Sequence, residues 1–207
     1  MKLYYKPGAC SLADLIVLEW ASAPYEAVRM SHEGLKSPEY LAMNPGGAVP
    51  VLKHGDFVLS ENVAILGYVA DLYPEARLLG DGTPLARAEV MRWVGFLNSD
   101  VHKAFGPIFT PGRYLPHLAF AERLAAAARL RIRNLLTRLD ERLAGRSWLT
   151  GERSVADAYL FVITRWASSK VGLREFPNLS RFAIRMSSDA SVRAALATEE
   201  APQRVAV

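Results

Sequence analysis

The sequence predicts an α/β unit over residues 1–77, a linker over 78–84 and an all-helical unit over 85–207. Three observations lead there. The first stretch alternates strand-like and helix-like patterns at the short intervals of a right-handed βαβ unit with a hairpin added. One Gly- and Pro-rich break, Pro74-Glu-Ala-Arg-Leu-Leu-Gly-Asp-Gly-Thr-Pro84, interrupts the composition. Beyond it no segment carries strand periodicity.

Lys2 to Tyr5 reads as a short strand, which Pro7-Gly8 ends. Ser11 is a suitable N-cap for the apolar-periodic segment that follows, Leu12 to Trp20. Pro24 to Met30 alternates as a second strand, and a short helical piece is expected around Ser37–Met43. Asn44-Pro-Gly-Gly-Ala-Val-Pro50-Val-Leu52 is a turn running into a third strand. Pro50 has no N–H to give a ladder, so it belongs at that strand's start or edge, where a cis Val49–Pro50 bond is allowed. Gly55-Asp56 turns the chain into a fourth strand, Phe57-Val-Leu59, and Ser60-Glu61-Asn62 is expected to cap a helix reaching Tyr73. The order is β-α-β-α-β-β-α.

In the second half Val90, Val94, Leu97, Val101 and Phe105 recur at helical spacing, as do Leu124, Ala128, Ile132, Leu135, Leu139 and Leu143. Ser154-Val-Ala-Asp157 resembles a capping box opening a helix to about Val171. Shorter helices are expected over Leu179–Ser187 and Val192–Thr198.

With 207 residues, 51% of them hydrophobic, the chain can bury a sizeable core. It has no apolar run of about 18–20 residues and no charged-then-apolar leader, so neither membrane nor export is expected. A single cysteine excludes an internal disulfide framework and a Cys-rich zinc site, and a reducing cytoplasm is the expected setting. The charge is uneven: residues 1–78 hold 6 Lys+Arg against 9 Asp+Glu, and residues 79–207 hold 19 against 12. The basic arginines alternate with acids along helical patterns, which argues for solvated faces and against nucleic acid. They can still attract a small anionic substrate.

Cys10 stands at a predicted helix start, where unpaired N–H groups favour an anion. A thiol of ordinary pKa near 8.5 would there fall to roughly 3.5–7.5. The competing expectation is a small buried hydrophobe. The Val49-Pro50 edge can pair with a peptide backbone, and the flanking helix starts can hold carboxylates. Glu61 beside such N–H groups suits a zwitterionic α-amino acid end. Gly95, Asn98, Ser99, His102 and Gly106 form a small, polar helix face fit for a groove or a subunit contact, with Lys103 next to the imidazole. His32, His54 and His117 lie in turn-rich contexts and are expected at the surface. No paired His/Asp spacing suggests a metal.

Met1-Lys-Leu-Tyr-Tyr-x-Pro-Gly-Ala-Cys10-Ser11-Leu, Asn44-Pro45-x-Gly47-x-Val49-Pro50, Ser60-Glu61-x-x-Ala64-Ile65, Trp93 followed by His102-Lys103, and Ser154-Val-Ala-Asp157-Ala-Tyr-Leu-Phe together resemble the bacterial beta-class cytosolic glutathione transferases. The resemblance runs in order along essentially the whole chain. It implies a thioredoxin-like N-terminal domain that holds glutathione, an all-α C-terminal domain that supplies the pocket for a hydrophobic electrophile, and a homodimer. Glutathione is then a co-substrate, with no further cofactor. By the same resemblance Cys10 lies beside the glutathione sulfur with Ala9 next to it. The Val49 backbone pairs with the tripeptide ahead of a cis Pro50, and Glu61 and Asn62 hold the γ-glutamyl end. Lys36 reaches the glycine carboxylate. His102 and Lys103 face the sulfur from the helical domain, with Ser99 on the same side. Tyr5, Phe109, Tyr114 and Trp166 are expected to line the electrophile pocket.

Two positions depart from that pattern. Gly95 replaces an asparagine that in relatives reaches the partner subunit's glutathione, a contact Asn98 or Ser99 would have to supply. Arg153 stands before the Ser154 cap where relatives place an apolar staple, so its aliphatic stem would substitute. The expected activity is glutathione conjugation, with Cys10-dependent thiol–disulfide exchange as a second activity. No resolving cysteine lies three residues on, where Ala13 stands. A non-catalytic ligand-binding or regulatory protein of the same fold is the alternative.

Overall fold

The computed structural model describes residues 1–201, and its sheet is built from β1 (Lys2–Tyr5), β2 (Glu26–Arg29), β3 (Val51–His54) and β4 (Phe57–Ser60). The strand order is β2-β1-β3-β4, with β1 parallel to β2 and antiparallel to β3. β4 returns on β3 as a hairpin whose turn holds Gly55 at φ +61. The helices are α1 (Leu12–Trp20), α2 (Pro38–Met43), α3 (Asn62–Leu72), α4 (Pro84–Phe96), α5 (Lys103–Phe109), α6 (Ala121–Arg142), α7 (Val155–Lys170), α8 (Pro177–Ser188) and α9 (Ala190–Glu200). Past Pro84 the described residues contain helices and turns and no strand.

Side-chain alternation assigns the sheet's two faces. Leu3, Tyr5 and Leu52 join the main core with α1 and α3, whereas Tyr4 and Val51 pack on the opposite face with Leu35 and Tyr40. α1 is buried on almost every side and packs against α3, α7 and α9. The main core therefore runs without a break from Leu3 in the sheet to Val192 in α9. The composition break does not separate the halves either, since Leu78 and Leu79 are buried in that core and the Leu78 carbonyl accepts from the N–H of Val155.

Several local expectations are corrected. Ser11 sits at the N-cap of α1, but its hydroxyl turns away from the helix, accepting from the Lys6 N–H and donating to the Lys6 carbonyl. Ser60 ends β4 instead of capping α3; the residue at that N-cap is Glu61, at φ 72, and its side chain makes no capping bond. The predicted continuous helix through Phe105 is interrupted by a π-turn, Leu97–His102, between α4 and α5. Such wide turns insert a residue and shift the helix faces. Arg153 does not act through its stem: its guanidinium lies 4.9 Å from the Trp20 ring centre and 3.9 Å from Asp189. That contact is a cation–π interaction at the seam between α1 and the helical half.

The Ser154–Asp157 start of α7 forms as expected and is fully enclosed. Asp157 accepts at 2.9 Å from the N–H of Leu149, from the N–H of Ser154 and from the Ser154 hydroxyl. Truncating this carboxylate strands two buried N–H groups, each costing about 1–3 kcal/mol. Asp157→Ala is therefore expected to lose on the order of 2–6 kcal/mol in urea unfolding. An unchanged midpoint would show that the capping residues contribute nothing to global stability.

Candidate functional site

A cleft of about 500 Å³ opens where the β1–α1 loop, the segment before β3 and the α5 region meet. It brings together seven of the residues expected from sequence: Ala9, Cys10, Lys36, Val49, His102, Phe109 and Trp166. The Cys10 thiol donates toward the Val49 carbonyl at 3.8 Å, and the Val49–Pro50 bond is cis. Pro50 itself is buried behind that wall. On the helical side the His102 ring centre lies 4.7 Å from that of Trp166, and Phe109 stacks edge-on to the same indole at 5.2 Å. An adjoining recess of about 230 Å³ shares Gly8, Ala9, Phe109 and Trp166 and adds Leu12 and Val162 as apolar walls.

Other expected residues fall elsewhere. Tyr5 is in the core, its hydroxyl donating to the Thr198 carbonyl at 2.8 Å, because alternation along β1 turns it beneath α9. Ser99, Lys103 and Tyr114 line a separate groove between α5 and α6. Lys103 and His102 part company because residues one apart on a helix do not share a face: His102 and Asn98, four apart, bond inward to α7, while Ser99 and Lys103, also four apart, are exposed. The small–polar stripe is thus split, and its Gly106 serves to admit the Tyr114 hydroxyl, which would clash with any Cβ there. Glu61 is exposed at the entry to α3 and outside the cleft wall, in a left-handed conformation that a residue with a Cβ holds only under local strain. Asn62 is 5% exposed, and neither of its amide atoms finds a partner among the described residues.

The electrostatics of Cys10 reverse the expectation from its helix-start position. Burial pushes its thiol up to about 12, with Asp14 and Glu61 acting in the same sense and the N–H groups of Cys10 and Ser11 only partly opposing. Asp14, one turn further along α1, is 0% exposed with both carboxyl oxygens unpartnered among the described residues. Burial raises its own pKa well above the usual carboxylate value. Desolvation, the largest of these effects, is what keeps Cys10 protonated. Burial likewise lowers His102 to about 4, leaving a neutral imidazole.

Some of these partners are not marked by any motif. Gly8, at φ +76, is held by two long-range contacts: its N–H donates to Glu199 at 3.0 Å and its carbonyl accepts from the Trp166 indole at 2.9 Å. Glu199 is almost fully buried and also binds Arg165 at 2.8 Å. Arg113, on the turn after α5, and His32 at the cleft rim were not expected in the site. Among the described residues no group of three His, Cys, Asp or Glu side chains could hold a metal, and no helix is long and apolar enough to cross a membrane.

Comparison with known proteins adds an independent line. Residues 1–71 match the family model for the glutathione S-transferase N-terminal domain, and residues 97–189 match that for the C-terminal domain. The chain is 48% identical to glutathione S-transferase GST-4.5 of Xanthomonas campestris pv. campestris, over 96% of this chain and 98% of the relative. The solved structure of a sphingomonad glutathione S-transferase complexed with glutathione superposes with a TM-score of 0.88 at 36% identity, covering 98% of this chain and 100% of that one. A bacterial beta-class glutathione S-transferase from Sphingomonas chungbukensis gives 0.86 at 37% identity, covering 97% and 99%.

Iodoacetamide alkylation tests the thiol. A thiol held near pKa 12 ionises only at high pH, so the rate at Cys10 is expected to be slow at pH 7 and to climb beyond pH 9 without levelling. A plateau below pH 8 would mean that the helix start outweighs burial.

Proposed function

The chain belongs to the glutathione S-transferase family, and on that premise we propose that it conjugates reduced glutathione to small hydrophobic electrophiles in the cleft beside Cys10. The observation that carries this reading is the cleft's two unlike walls. One offers the Lys36 cation, the Cys10 thiol and the Val49 backbone, groups suited to an anionic tripeptide; the other offers Phe109 and Trp166, suited to an apolar co-substrate. Glu61, whose charge is felt at Cys10, is the carboxylate for the peptide's ammonium end, with Asn62 beside it. Residues 1–77 and 85–207 divide these tasks between them.

Conjugation needs a thiolate on glutathione, since the thiolate is the nucleophile. A neutral Cys10 thiol can donate a hydrogen bond to that sulfur but is itself a poor nucleophile at neutral pH. His102 lines the cleft as a neutral imidazole with a lone pair to accept the proton; burial alone lowers its pKa to about 4, so the transfer depends on the thiolate formed beside the imidazolium to stabilise it. This favours conjugation over thiol–disulfide exchange as the main activity. It also favours a catalytic protein over a carrier, since a carrier has no use for a neutral imidazole beside the thiol.

Replacing Cys10 separates the activities. Cys10→Ala is expected to lower conjugation of a chloronitrobenzene by less than roughly tenfold and to abolish any slow reduction of a glutathione mixed disulfide. Intact-mass measurement after exposure to oxidised glutathione should show at most one adduct, absent from the variant. Loss of conjugation by several orders of magnitude in a folded Cys10→Ala protein would make Cys10 the covalent nucleophile instead.

A homodimer is part of the proposal. Phe57 on the edge strand β4 and Leu85 on α4 are 50% and 82% exposed, and a Cβ at Gly95 would meet nothing, so each of these positions leaves room for another surface. Light scattering at micromolar concentration is expected to give about twice the 22.8 kDa chain mass. A fully active monomer would overturn this.

A further inference from the structure

We propose that Tyr159, oriented by Asn98, is a positioning residue that fixes His102 as the Nδ1–H tautomer and so presents an unprotonated Nε2 to the cleft as the acceptor of the glutathione thiol proton. The inference rests on the reading of His102 given above and adds to it the residues that prepare the imidazole. The Tyr159 hydroxyl lies 2.6 Å from His102 Nδ1 and donates to Asn98 Oδ1 at 3.0 Å. A phenol has one proton to give and lone pairs to share, whereas a side-chain amide oxygen can only accept. With its proton committed to Asn98, Tyr159 can meet His102 only as an acceptor, so Nδ1 must carry the hydrogen. The opposite arrangement would need the Asn98 amide turned over, with its Nδ2 donating to Tyr159; in the structure it is the amide oxygen that faces the hydroxyl.

The surroundings keep this arrangement in place. Tyr159 is fully buried on α7, and burial raises its pKa, so it stays a phenol with its single proton. The ionisable groups that face it are Cys10, Asp14 and Glu61, and the Asn62 side chain lies near its hydroxyl. His102 has no second hydrogen-bond partner among the described residues, its ring being held between the Tyr159 and Trp166 rings at 6.0 and 4.7 Å. Nε2 is thus the free nitrogen. In the step itself the glutathione S–H bond breaks, the proton passes to Nε2, and the sulfur keeps the electron pair. The products are a thiolate and an imidazolium whose Nδ1–H still bonds Tyr159. When the thiolate displaces a leaving group from the electrophile, that group departs with its electron pair and the imidazolium returns its proton to it or to solvent.

Nitrogen NMR of histidine-labelled protein reads the tautomer directly, with His102→Gln used to assign the signal. The wild type is expected to show protonated Nδ1 and bare Nε2. Asn98→Ala frees the Tyr159 proton to turn toward Nδ1, so the variant should move to the Nε2–H form. Its kcat for conjugation should fall by roughly tenfold or more, with KM for glutathione within about twofold. Asn98→Asp keeps an acceptor for the hydroxyl and should restore the wild-type tautomer. Tyr159→Phe should release the preference altogether; because it sits in the core, Asn98→Ala carries the test if that variant fails to fold. An Nε2–H signal in the wild type, or an unmoved tautomer in Asn98→Ala, would overturn the proposal. A tautomer that moves while kcat does not would overturn His102 as the proton acceptor and leave the tautomer assignment standing.

Discussion

The rest of the structure depends on the burial of α1 between the sheet and the helical half. Its residues from Leu12 to Leu18 are all buried, and its neighbours are α3 on one side and α7 and α9 on the other. An α-helix apolar on every side must be covered on every side. The sheet and α3 cover part of α1, and the C-terminal helices α7 and α9 cover the rest, so the two halves share a single core despite the Gly- and Pro-rich segment between them. Trp20 extends the seam, bonding Asp189 through its indole N–H at 3.2 Å.

The same packing fixes the loop that leads into α1. Gly8 is clamped from both sides by groups more than 150 residues away, the Glu199 carboxylate and the Trp166 indole. Tyr5, just before it, is tied to Thr198. The position of Cys10 relative to the aromatic wall is therefore set by tertiary contacts with α7 and α9, and only secondarily by its own turn. Trp166 serves two purposes at once, as the hinge partner of the loop and as the surface on which His102 and Phe109 pack.

That enclosure also decides the chemistry of the thiol. A helix N-terminus stabilises an anion by up to about 2 kcal/mol, whereas taking a charge out of water costs several kcal/mol unless it is paired. The N–H groups of Cys10 and Ser11 favour its anion, but burial opposes it, joined by the acids Asp14 and Glu61. Desolvation wins, and Cys10 remains a thiol. His102 follows the same logic with the opposite sign, since burial without a carboxylate partner removes its proton at neutral pH. A site thus arises in which the cysteine can donate and the imidazole can accept.

The sequence by itself determined the order of strands and helices, the turn residues, the α7 capping box and most of the cleft, because these follow from local periodicity, turn chemistry and a joint motif along the chain. Cys10, Val49, Lys36, His102, Phe109 and Trp166 were legible in that way, and they do share one cleft. What only the tertiary structure decided is which side of an element faces which neighbour. The alternation that made Tyr5 a plausible wall sends it beneath α9. Which of two neighbouring helix faces turns inward is likewise a matter of packing against α7: Asn98 and His102 meet Tyr159, while Ser99 and Lys103 face a separate groove. The ionisation of Cys10 belongs to the same class: position along a helix is local, but burial is the sum of everything packed around it, and here that sum outweighs the helix.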